Sequence, residues 1–182
     1  MGSGNRIAKD RHAMTFQSPS ARNLPTARLA ADVKALRAAI GFDSEFASEY
    51  RLLRPYLPDL VRDWPEEMAL QIMRVSSGWG NADDGEVTRF RTLCTQFTNG
   101  VTSGRFYEDF FSTMIALRDY FVERGVSLDI LAGSLMARFQ DAQLKLFFMT
   151  RAKDGRVFIS ALRCLFKIMA LTLQILNRPA TA

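Results

Sequence analysis

A chain of 182 residues with 48% hydrophobic and 24% charged residues has the make-up of one globular domain with a sizeable core, which excludes extensive disorder. A single histidine, His12, excludes a His-rich metal centre and gives a Ser/His/Asp triad only one residue to draw on; Cys94 and Cys164 stand too far apart for a zinc or redox motif and read as buried thiols of a cytoplasmic protein. The net charge is +5, but residues 1–28 alone hold +4, so the remaining body is nearly neutral and gives no argument for nucleic-acid binding.

Residues 1–25 mix Ser, Arg, Asn and Pro without periodicity, as a flexible basic tail does. Beyond them the spacing is helical throughout, and the folded unit is expected over residues 26–177, with 178–182 as a tail or linker stub. Leu29, Val33, Leu36 and Ile40 share one helical face; Gly41 ends that helix and Ser44 caps the next, over 44–54, which Pro55 and Pro58 break. From Pro58 to Val75 a helix carries Leu60, Trp64, Met68 and Ile72, and Pro65 must kink it or split it in two. Residues 76–85 read as a solvated loop whose Asp83, Asp84 and Glu86 are too few and too irregularly spaced to hold calcium.

Phe90, Leu93, Cys94 and Phe97 form the next stripe, and Asn99 to Gly104 a corner. Phe106, Phe110, Met114, Leu117 and Phe121 continue on one face until Gly125, and Ser127 caps a helix with Leu128, Leu131, Leu135, Phe139 and Leu146 inward. After a corner at Asp154-Gly155, the last helix has two apolar faces. One runs through Phe158, Leu162, Leu165, Phe166, Met169, Leu173 and Leu176; the other comprises Ala161, Leu165, Ile168, Leu171 and Ile175. A helix apolar nearly all round is buried on more than one side. It is either the central helix of a monomer or, the preferred reading, a helix that shares its second face (Leu165, Ile168, Leu171, Ile175) with a second copy. Arg163, Lys167 and Gln174 interrupt the same stretch, so no membrane span is expected.

Three stretches carry a family likeness. The first is Ile40-Gly41-Phe42-Asp43 followed by Leu52-Leu53-Arg54-Pro55-Tyr56-Leu57-Pro58-Asp59-Leu60-Val61; the second is Thr102-Ser103-Gly104; the third is Arg124-Gly125-Val126, with Gly133 further on. In this order and at these intervals the chain resembles the sensor-globin domain of the globin-coupled sensors and protoglobins. The resemblance implies an all-α, globin-like helical sandwich with an extra N-terminal helix. It also implies dimerisation through the last two helices and a C-terminal output domain or signalling partner.

In haem-binding members of that family the proximal His lies one turn before the corner glycine. Counting back from Gly125 and forward 17 residues from Gly104 both reach Phe121. The place of the distal Tyr, after the aromatic of the second main helix, is Pro65, following Trp64. A phenyl ring donates nothing to iron. The resemblance therefore implies a haem-free variant, similar to the N-terminal domains of stressosome scaffold proteins, with no cofactor and no metal. Around the former slot, Trp64, Cys94, Phe97, Met114, Leu117 and Phe139 are the candidate lining residues, and the surplus of Phe supplies volume in place of a porphyrin.

The expected role is that of a non-haem signalling domain acting through a change in a dimeric bundle. The alternative is a globin sensor holding haem by a non-standard ligand (Cys94, Met114, Tyr120 or His12), or a binder of another apolar molecule. No constellation with catalytic spacing is present, so an enzyme is not expected.

Overall fold

The computed structural model describes residues 26–75, 83–150 and 154–178, with the side chains of α1 described from residue 31. Among them every regular element is a helix: α1 (Thr26–Ile40), α2 (Ser44–Leu53), α3 (Leu57–Val61), α4 (Trp64–Val75), α5 (Asp84–Ser103), α6 (Glu108–Glu123), α7 (Leu128–Thr150) and α8 (Gly155–Leu176). The tail at 1–25 with His12, most of the 76–85 loop and residues 179–182 lie outside the described residues.

Local chemistry sets the boundaries. Asp43, one residue before the expected cap, is the N-cap of α2: its Oδ1 accepts the N–H groups of Glu45 (2.9 Å) and Phe46 (3.1 Å). The Phe46 and Glu45 amides hold the Asp43 carboxyl below its usual range. Pro65 splits rather than kinks: α3 ends at Val61 and α4 restarts at Trp64, so the proline falls in a first turn, where its missing N–H costs nothing. The acidic group after the loop also has a different role from the expected one. Asp83 and Glu86 make a reciprocal capping box at the start of α5, with Glu86 N–H to Asp83 Oδ1 at 2.8 Å and Asp83 N–H to Glu86 Oε2 at 3.3 Å.

Helix α5 runs on through the corner expected at Asn99 and stops only where Gly104 turns left-handed, at φ 69°. Tyr50 enforces that stop. Its hydroxyl lies 2.9 Å from the Val101 carbonyl and 2.7 Å from that of Thr102, donating to acceptors that the helix end leaves open. A Cβ at Gly104 would meet the Tyr50 ring at 2.5 Å, so only glycine fits beneath it. Tyr50→Phe keeps the ring and removes the hydrogen bond; a loss of about 1–2 kcal/mol is expected in urea unfolding, with faster amide exchange at the end of α5.

At the other corner Gly125 (φ 65°) closes α6: Val126 N–H donates to the Phe121 carbonyl and Gly125 N–H to that of Val122, both at 3.0 Å. This double bond pattern is the glycine-terminated helix end in full. Helices α5, α6, α7 and α4 pack in turn, and α8 closes the arrangement by lying against α6, α7, α2 and α1. Phe42, Phe46, Tyr50, Phe106 and Phe110 form an aromatic seam between α2 and the start of α6.

By length and composition alone α8 could cross a bilayer, although Arg163, Lys167 and Gln174 interrupt it: an 18-residue window of it has a mean hydropathy of 1.7. In the structure 44% of that apolar window is buried inside the chain, and both of its cations pair with α2.

Candidate functional site

Phe121 sits in the last turn of α6 and is fully buried. Its ring lies 5.6 Å from that of Phe90 on α5, tilted at 60°. Its carbonyl is held by Val126, so both backbone and side chain of this position are fixed. The six candidate lining residues, Trp64, Cys94, Phe97, Met114, Leu117 and Phe139, are likewise all at 0% exposure and belong to one core. Trp64 stacks on Phe97 at 6.1 Å and meets the edge of Phe139 at 5.0 Å. The interior therefore holds an α4–α5–α7 aromatic layer and, around Phe90 and Phe121, an α5–α6 layer.

The residues present do not fit an iron porphyrin. Phe121 has no donor atom, and Pro65, in the first turn of α4, has none either. Tyr120 points out of register with Phe121 and spends its hydroxyl on the Glu86 carbonyl at 2.9 Å; burial pushes its pKa up. The Cys94 thiol is pushed up to about 12 by burial, so without a metal it is protonated at neutral pH and packs as an apolar side chain. Cys164, also free, is raised to about 12 by burial first and by the Glu49 charge second. Among the described residues no three His, Cys, Asp or Glu side chains are grouped as metal ligands.

One correction concerns α8. Leu165, Ile168, Leu171 and Ile175, expected at a dimer interface, are buried within the chain itself at 0–1% exposure. On the α2 side of the same helix, Lys167 Nζ lies 2.8 Å from Glu49 Oε2, and Arg163 Nη1 lies 3.2 Å from Glu45 Oε1. The arc left outward is the other one. Ile159 and Phe166 are exposed and Phe158, Leu162, Met169 and Leu173 half-buried. Helix α7 adds Met136, Leu144 (62% exposed), Phe147 and Phe148 (71% exposed).

These two stripes adjoin. The Phe147 and Phe158 rings meet edge to face at 5.6 Å, and a groove of about 490 Å³ runs between Gln140, Gln143, Leu144, Phe147, Phe158 and Leu162. A second depression of about 370 Å³ lies between α4 and α7, where Arg138 pairs with Glu67 and Arg74 lines the wall. Neither is lined by any of the six candidate residues or by Phe121. The signal for the outward face was present as the Phe158–Leu173 stripe; what periodicity lacked was its direction.

No protein-family model matches the chain, and no curated protein or solved structure matches it either.

Proposed function

We propose that this chain is a cytoplasmic, haem-free regulatory domain of sensor-globin type that works as a homodimer through the outward face of α7 and α8, and passes a signal to a C-terminal output domain or partner protein. The observation that carries the reading is the contiguous apolar face itself, with Leu144, Phe148, Ile159 and Phe166 turned outward from helices otherwise well packed. An exposed patch of that kind marks an interaction surface. On α7, Asp141 and Lys145 pair with each other at 2.9 Å, so in an isologous contact these two charges arrive already compensated. The filled core around Phe121 supports a role without cofactor, with signal transfer by shifts of about 1–2 Å between helices at the shared bundle.

Two measurements test it. Sedimentation at micromolar concentration is expected to give twice the chain mass of 20.6 kDa, and Phe148→Asp with Phe166→Asp to give a monomer of unchanged helicity. A wild-type monomer overturns the dimer. Expression with added haemin is expected to give a colourless protein; a Soret band with one haem per chain overturns the haem-free reading.

A further inference from the structure

Helix α6 carries a buried cation on its core side. Arg118 is 8% exposed and follows Met114 by four residues and precedes Phe121 by three, so all three share a face. Its Nε and Nη2 donate to Asp119 Oδ1 at 3.0 and 2.8 Å. Its Nη1 reaches across to α8 and donates to the main-chain carbonyl of Arg178 at 3.2 Å. Arg178 is held a second time, at its other end: its guanidinium lies 2.9 Å from Asp32 Oδ2 on α1. Arg178 directly follows Asn177, the C-cap of α8, and its N–H returns to the Ile175 carbonyl at 3.3 Å.

The residue at which the chain leaves α8 is thus gripped from two sides. Helix α6 holds its carbonyl and α1 holds its side chain. The grip suits the place, because a cation at a helix C-terminus meets the negative end of the helix dipole and its open carbonyls. Geometry at this point depends on α6, since Arg118 rides on the turn next to Phe121. A shift in how α6 packs around Phe121 moves the Arg118 guanidinium, and with it the carbonyl it holds.

We propose that Arg118, Arg178 and Asp32 form a clamp that couples the packing of α6 beside Phe121 to the exit of the chain from α8. The inference rests on the regulatory reading above for its purpose, though not for its test. Hydrogen exchange on the full chain reads it out at residues 174–178. Arg118→Lys, which keeps the charge but loses the fork, is expected to speed exchange there by roughly tenfold, the size of one charge-assisted hydrogen bond, and Asp32→Asn, at a partly exposed pair, by about two- to fivefold. Exchanging the partners, Asp32→Arg with Arg178→Asp, is expected to restore protection. Phe121→Leu, a mild change in packing, is expected to speed exchange at 174–178 in the otherwise native chain and to add nothing once Arg118 and Asp32 are both altered.

Exchange that is unchanged by Arg118→Lys and Asp32→Asn overturns the clamp. So does a Phe121→Leu effect that persists undiminished without it. Because this readout does not require a dimer, a chain found monomeric but still coupled in this way refutes the dimer and leaves the clamp standing.

Discussion

Phe121→Ala is expected to lower stability by about 3–5 kcal/mol, the range for truncating a buried aromatic ring. The side chain has no exposure, and its neighbours have little freedom to close the gap. Phe90 is shared with the Tyr120 ring, which stacks on it at 5.9 Å, and Tyr120 is pinned by its hydroxyl to the Glu86 carbonyl. The backbone beneath is fixed by the Val126 amide. With collapse blocked, the cavity term adds to the lost transfer energy. Urea unfolding followed by circular dichroism measures the loss, and Phe121→Leu, which refills most of the volume, is expected to cost well under half as much. A loss under about 1 kcal/mol for Phe121→Ala would mean that the position is not a packing centre. Phe121→His introduces an imidazole, an axial donor for haem iron, yet it is expected to take up no haem. One side chain does not empty an interior filled by Trp64, Phe90, Phe97 and Phe139.

Much of this core was legible because its cause is local. Stripes at steps of three and four put Phe90, Cys94, Phe97, Met114, Leu117 and Phe121 on inward faces, and inward is where they lie. Gly125 and Gly104 end helices because no other residue turns left-handed as cheaply, so those corners carry their own signature. Asp83-x-x-Glu86 also had the spacing of a capping box, and reading it as loop acidity missed a signal that was there.

What stayed hidden depends on partners distant in the chain. Tyr50 caps the end of α5 from more than fifty residues away, and no local pattern announces it. The two apolar arcs of α8 were both visible, but a helical wheel does not say which arc meets the body. Ion pairs spanning 118 residues, from Glu45 and Glu49 to Arg163 and Lys167, accompany that choice. Phe158 and Lys167, nine residues apart, project from opposite sides of the helix, about 180° from each other. Once Lys167 is tied to α2, the Phe158 side is left beside α7 and open to the outside. The face proposed for a second copy therefore lies on the side of α8 opposite that charge pair.

Removing that charge is the second large effect expected. Glu49 is a carboxylate on α2 whose side chain is 5% exposed. Its Oε2 receives Lys167 at 2.8 Å, while its Oε1 accepts no hydrogen bond and has only the Arg163 guanidinium at 3.6 Å. Lys167→Met leaves the buried charge with the more distant cation alone, and a loss of about 3 kcal/mol is expected, since an uncompensated buried ion costs more than the intact pair contributes. Glu49→Leu combined with Lys167→Met removes both charges and is expected to fall within about 1 kcal/mol of the native chain, because two desolvation costs vanish with one attraction. A double-mutant cycle in urea separates the cases: additive losses would show that the two side chains do not act as a pair. The single variant carries a further expectation. With the Lys167 tie lost, the seating of the buried arc of α8 against α2 is loosened, so Lys167→Met is expected to weaken self-association although Lys167 lies on the opposite side of α8 from Phe158, whereas the charge-free double variant, packed again by Leu and Met, retains it.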